Sequence, residues 1–352
     1  MDRESFTFHP PLSNQGGGPL YHSRHIIATL PIPSTDKFPD ILADNMRPSE
    51  QNVSVNTGRR RRSTLEGSLT GVLRPRCYTL TNGYPTHEGH ENKDIRDMVI
   101  KPDSIDTDMR LLRSWIHSLN SDVDLWESCD KPGYKRADSA RIVKILKITQ
   151  GQPTFIYISG HSEHGATDSE LVYAPADYLS FTSGQPTVVH YAKMAQLLLR
   201  RSHSGPLLLV TEVCFCENFL KLPYFLNYKD GEVSWERTGC LDSFAEDSRA
   251  IVHFAATAPG ERAMSFSNGA VFTKQFCKIR PDNKLSLKDI AKQLHEEIDR
   301  ALDKCGIEKE KKQHPRIYCS RKLDGPHFYD EIGLCSSPET DSILGDDCDS
   351  NA

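Results

Sequence analysis

The 352-residue chain has no apolar run long enough to cross a bilayer; its longest apolar stretches are strand-sized. It has no strong excess of one charge either. Its 43 basic and 48 acidic side chains leave a formal net charge of -5, which gives no general argument for a nucleic-acid or membrane partner. The ten cysteines (Cys77, Cys129, Cys214, Cys216, Cys240, Cys277, Cys305, Cys319, Cys335 and Cys348) lack the dense spacing of a disulfide framework. The opening Met1-Asp2-Arg3-Glu4-Ser5 lacks the basic and apolar regions of a secretory signal. Reduced thiols and a cytoplasmic or nuclear setting are therefore expected. No internal repeat is present.

What is there divides into three parts. Residues 1–73 are rich in Pro, Gly, Ser, Asn and charge without a sustained apolar period, and are expected to form a flexible arm. Within it, Arg59-Arg60-Arg61-Arg62 reads either as solvated charge or as a nuclear address or nucleic-acid patch. Residues 331–352, with Asp346, Asp347 and Asp349, read as an acidic, loose tail. Between them, residues 74–330 alternate strand and helix patterns. That alternation predicts an α/β fold, a three-layer α/β/α sandwich with a mainly parallel central sheet. Strands are expected at Cys77–Thr81, Thr154–His161, Pro206–Cys214 and Ala250–Ala256. Helices are expected at Ile105–Ser118, Ser139–Ile148, Val188–Arg201, Val271–Cys277 and Ser286–Leu302.

Two of these strands end on residues able to do chemistry. Thr154-Phe155-Ile156-Tyr157-Ile158-Ser159-Gly160-His161 and Pro206-Leu207-Leu208-Leu209-Val210-Thr211-Glu212-Val213-Cys214 are continuously apolar, as strands covered on both faces are. Run parallel and adjacent, they would bring His161 and Cys214 to one carboxyl edge, where open α/β sheets place their sites. A thiol beside an imidazole suggests a nucleophile and its base. Spacing alone leaves open whether His161 or His164 faces Cys214. A zinc site of His161, His164, Cys214 and Cys216 competes weakly, because Cys-x-Cys is a tight bite for one metal.

At these residues the chain resembles the caspase and metacaspase superfamily of cysteine peptidases. Ser159-Gly160-His161-Ser162 is similar to that family's Ser-Gly-His-Gly, and Glu212-Val213-Cys214-Phe215-Cys216-Glu217 to its Asp-x-Cys-x-Ser-Gly. Weaker similarities lie in the same order: Arg76 to Tyr84 at the first strand, Thr107-Asp108-Met109 in the first helix, and Ala174-Pro175-Ala176-Asp177-Tyr178 after the histidine. Phe254 to Ala263 with Asn268 to Thr273, and Gln313-His314-Pro315-Arg316 as a final strand, follow. The departures are Glu212 for the family's aspartate, Ser162 for its glycine and Cys216 for its serine.

The resemblance implies a cysteine endopeptidase acting on proteins or peptides, with Cys214 as nucleophile and His161 as general base. Backbone N–H groups of Gly160 and Cys214 would hold the oxyanion, and Asp108 and Glu212 would line a substrate pocket selecting Arg or Lys before the cut. The alternative is a catalytically weak or inactive caspase-like interaction scaffold. The resemblance also divides the domain into a large-subunit-like part (74–226), a linker (227–249) and a small-subunit-like part (250–330). The linker reads as exposed and mobile, with self-cleavage expected after Lys229 or Arg237. The sequence points to no definite cofactor; calcium is a possible one, with Asp242, Glu246 and Asp247 as scattered candidate ligands.

Overall fold

The computed structural model describes residues 74–119, 123–148, 151–165, 167, 170–179, 186–200, 203–240 and 249–335. The Arg59–Arg62 cluster, Cys348, and the candidate calcium ligands Asp242, Glu246 and Asp247 lie outside the described residues. In chain order, β1 (Arg76–Thr81) leads through α1 (Lys93–Arg96) to α2 (Pro102–His117), β2 (Asp124–Cys129), α3 (Ser139–Ile148) and β3 (Thr154–Ser159). Next come β4 (His161–His164), β5 (Leu171–Ala174), β6 (Val189–His190), α4 (Tyr191–Leu198), β7 (Leu207–Glu212), β8 (Tyr224–Lys229), β9 (Glu232–Arg237) and β10 (Ile251–Ala255). The hairpin of β11 (Ser265–Phe266) and β12 (Gly269–Ala270) precedes α5 (Val271–Phe276), α6 (Leu287–Lys304), β13 (Arg316–Cys319) and α7 (Phe328–Glu331).

Eight strands form the main sheet in the order β2-β1-β3-β7-β10-β13-β8-β9. The first five are parallel neighbours. The last three join antiparallel, so the fold is α/β with a large mixed sheet, mostly parallel, rather than a uniformly parallel one. The apolar runs work as their composition suggests: every residue of β3 and β7 is buried. Successive side chains of a strand point to opposite faces. Phe155, Tyr157, Leu208, Val210, Val252 and Phe254 accordingly pack with α2, α5 and α6 on one side. Ile156, Ile158, Leu207, Leu209 and Ile251 pack with α3 and α4 on the other. Helices therefore cover both faces. The helical period does the rest in α6, whose Leu287, Ile290, Ala291, Leu294, Ile298 and Leu302 form its buried stripe behind a Ser286 cap that accepts from the Asp289 amide.

The structure corrects four expectations. Gly160 interrupts the predicted strand to His161: β3 ends at Ser159, and His161 opens β4 of a separate antiparallel sheet, β4-β5-β6. Residues Asn227 to Arg237, expected as mobile linker, are paired strands, because Asp230 and Gly231 both take positive φ (53° and 84°) and turn β8 back into β9. The boundary drawn after residue 226 thus cuts a strand. Lys229 pairs with Glu232, and Arg237 pairs with Tyr224 and lies over its ring, so neither expected cleavage point is in a loose segment. The domain also runs past residue 330, since Ile332 and Leu334 are buried in the core. Finally, the last strand starts at Arg316 rather than Gln313. Among the described residues all nine cysteines are free thiols, and no helix is long and apolar enough to cross a membrane.

The turn into β7 tests how tightly this sheet is built. A Cβ on Gly205 would sit 2.2 Å from the Gln152 carbonyl oxygen and 2.6 Å from its amide nitrogen, and both are backbone atoms that cannot swing aside. Gly205→Ala is expected to lower unfolding stability by about 1–3 kcal/mol, the usual cost of overpacking. Gly89→Ala, whose Cβ meets nothing within 4 Å, should change it little. Urea denaturation of both variants checks this.

Candidate active site

Ser159 stands opposite Glu212 in the parallel β3–β7 pair, so the residues just beyond, Gly160-His161 and Val213-Cys214, emerge together at the carboxyl edge of the sheet. β1 ends beside them, and the order β2-β1-β3 marks where the connections switch sides, the place where an open α/β sheet leaves a crevice. One cleft there is lined by His161, Cys214, Asp108 and Glu212 together. Val99 to Lys101 form one wall, and Ala263 to Phe266 with Ala270 form another. The structure thus gathers both expected chemical residues and both expected pocket acids. His164 is exposed, its ring 5.1 Å from that of Phe215, and does not line the cleft. Among the described residues no group of three or more His, Cys, Asp or Glu is arranged to hold a metal ion.

The His161 ring is oriented from outside the strand. Its Nε2 lies 2.6 Å from the Met98 carbonyl oxygen, which can only accept, so Nε2 carries a proton and, in the neutral ring, Nδ1 carries the lone pair. Cys214 sits in a turn fixed on both sides: the Phe215 amide donates to the Glu261 carbonyl (2.8 Å), and the Cys216 amide to the Thr257 hydroxyl (3.0 Å). Phe215 holds φ 53°, an unusual conformation for a bulky residue. Ser162, the serine in place of a glycine, donates its hydroxyl to the Cys214 carbonyl and ties the histidine strand to the cysteine turn. Cys216 is buried, with its thiol against Thr211 and the Val213 carbonyl, and takes a packing role.

Gly160 has a different role from the one expected. Its N–H donates to the Glu212 carbonyl (3.3 Å) as part of the sheet and is not turned to the cleft. The Gly165 amide bonds Glu170 across β4 and β5, and by strand alternation Glu163 and His161 share that side. Ser162 N–H therefore points away from β5. The Cys214 amide is bonded to no described residue. Of the two amides expected at the oxyanion, that of Gly160 is engaged in the sheet and that of Cys214 is not.

Burial dominates the electrostatics. Loss of water pushes the Cys214 thiol up to about 11, against the pull of the Ala263 N–H and the Arg262 charge. The Glu212 carboxyl is raised to about 8 by burial and by the nearby Asp108, although the Thr273 amide (2.8 Å) and hydroxyl (2.9 Å) both donate to its Oε2. The Thr273 hydroxyl then accepts from Tyr157 at 2.7 Å. Glu212 Oε1 is buried with no partner. Asp108 is raised to about 7, chiefly by burial, against the Ala270 N–H shared between its two oxygens (3.0 and 3.2 Å). The position is tight: a Cβ on Gly269, at φ 114°, would lie 2.7 Å from Asp108 Oδ1.

Sequence reasoning missed the supporting groups. Met98, Thr273 and Ala270 act through backbone or through a common hydroxyl, and no spacing announces them. Asp130 is also absent from the motifs; its carboxylate accepts the amides of Gly83 and Tyr84 at the end of β1.

A carboxyl whose pKa is raised on folding contributes stability below its unfolded value and loses it as pH rises through the folded value. For Glu212 that window runs from about 4.5 to about 8. Glu212→Gln, which keeps an acceptor for Thr273, should therefore gain in melting temperature over wild type as pH rises from 5 to 8, with the difference smallest at pH 5. A difference independent of pH would mean that the carboxyl is not held neutral. Calorimetry at both pH values checks this.

No protein-family model matches the chain, and no curated protein matches it. Among solved structures it is similar to protein GSU0716 from Geobacter sulfurreducens, a structural-genomics target, at 10% identity and a TM-score of 0.45, over 75% of this chain and 98% of that one.

Proposed function

We propose that the chain is a caspase-like cysteine endopeptidase that cleaves peptide bonds after Arg or Lys. One observation carries this reading: a single cleft is lined by a strand-end Cys214, a tautomer-fixed His161 and two buried carboxylates, one with an unpartnered oxygen. His161 Nδ1 takes the proton of the Cys214 thiol, the sulfur attacks the peptide carbonyl carbon, and the C–N bond breaks as the imidazolium protonates the leaving amine. Water then hydrolyses the thioester. The Cys214 amide meets the oxyanion, a good donor supplying roughly 3 kcal/mol. The Ala263 N–H faces the sulfur and favours its anionic form.

The pocket argues for a cationic side chain. A guanidinium or ammonium entering between Asp108 and Glu212 supplies the donor that Glu212 Oε1 lacks and restores the charge that burial suppresses. An acidic side chain would meet two carboxyls and is excluded by the same terms. Self-cleavage after Lys229 or Arg237 is not part of the proposal, because both stand in paired strands.

A second reading, a caspase-like interaction scaffold without turnover, draws on the Cys214 thiol being held neutral up to about 11. Fluorogenic peptides ending in Arg, Lys or Asp, assayed with and without calcium, separate the two. Arg and Lys peptides should be cleaved and Asp peptides not. Cys214→Ala should abolish cleavage and His161→Ala should lower kcat by roughly 100-fold or more, with His164→Ala far milder. Cleavage that survives in Cys214→Ala, or none in wild type with any peptide, overturns the peptidase.

A further inference from the structure

The turn that ends β1 packs against His161. The ring stacks on that of Tyr84, with centroids 5.0 Å apart and planes inclined by 29°. The His161 amide donates to the Tyr84 hydroxyl (2.8 Å), which in turn donates to the Ala174 carbonyl in β5 (2.6 Å). Tyr84 is buried, and Gly160 makes its place: a Cβ there would lie 2.6 Å from the Tyr84 hydroxyl and 3.0 Å from that of Tyr173. The Gly83 carbonyl accepts from the Ile100 amide (2.9 Å), which fastens the segment whose Met98 carbonyl holds Nε2. The turn therefore reaches the histidine at its backbone, its ring face and its distal nitrogen.

This turn is not one a tyrosine adopts readily. Tyr84 has φ 58° and ψ 43°, the left-handed region, where a bulky residue persists only if its surroundings impose it. Asp130, just past β2, imposes it. Its carboxylate accepts the Gly83 amide on both oxygens (3.0 Å each) and the Tyr84 amide at 2.6 Å. Strain held in place beside a reacting group is where pre-organisation is found.

We propose that Tyr84 is the positioning residue of His161, and that Asp130 is the acid that sets Tyr84. The proposal rests on the Cys-His reading above, and it goes beyond that reading by assigning the supporting pair.

The test uses the whole chain carrying Tyr84→Phe, Asp130→Asn and both changes, with two readouts. Tyr84→Phe keeps the ring stack and removes only the hydroxyl, so it decides the matter even if Asp130→Asn proves unstable. In peptide cleavage, Tyr84→Phe should lower kcat roughly tenfold, the size of effect a modest misplacement produces, with KM within about twofold. Asp130→Asn should do the same, and the double variant should be no worse than either single one, because both act along one path. Independently of activity, long-range nitrogen–proton NMR of the histidine rings, assigned with His161→Gln, should show His161 as the Nε2–H tautomer in wild type and as a tautomer mixture in the variants. Unchanged kcat with an unchanged His161 spectrum, or fully additive effects in the double variant, overturns the proposal. If wild type cleaves nothing, the peptidase reading falls, and the spectrum alone then decides whether Tyr84 and Asp130 position His161.

Discussion

Parallel pairing of β3 with β7 places Ser159 opposite Glu212, and from that register everything at the site follows. Gly160 donates to the Glu212 carbonyl, which ends the ladder. Beyond it both segments leave the ladder, delivering the His161 imidazole two positions past Ser159 and the Cys214 thiol two positions past Glu212. A slip of one residue would exchange the two faces of β7, sending Leu208 and Val210 to the wrong layer. The two cores on either side of the sheet therefore hold the site in register: the residues that pack and the residues that react belong to the same two strands.

Around that edge the resting molecule is built to carry little charge. Cys214, Glu212 and Asp108 are all held toward their neutral forms by burial, and the few polar contacts they receive come from backbone amides and one threonine. Such a cleft is incomplete without a ligand. In the proposed function the substrate brings the positive charge, and its arrival converts a costly burial into a paired one.

The sequence made the central part of this legible because continuous apolar runs leave few choices: β3, β7 and β10 had to be interior strands, and their order fixed which ends met. His161 and Cys214 were readable for that reason, as were the α2 and α6 stripes. Elsewhere local signals were present and outweighed. Asp230-Gly231 between alternating residues is a strong hairpin signal, but the polar composition of 227–249 suggested a linker. Ile332 and Leu334 were lost in an acidic tail. The Gly160 amide could not be assigned from sequence at all, because whether an N–H faces a cleft or a neighbouring strand depends on pairing phase. Asp130 and Tyr84 are 46 residues apart and meet only once β2 has been laid beside β1.

The neutral resting state of Cys214 has a consequence beyond turnover. Oxidation by peroxide proceeds through the thiolate, as alkylation does, and a thiol held to about 11 offers very little of it near neutral pH. Cys216, buried two residues away with its own thiol pushed up, offers no more. In the proposed function the sulfur becomes nucleophilic when His161 accepts its proton. On that reading, burial that keeps the Cys214 thiol protonated also slows its oxidation between encounters.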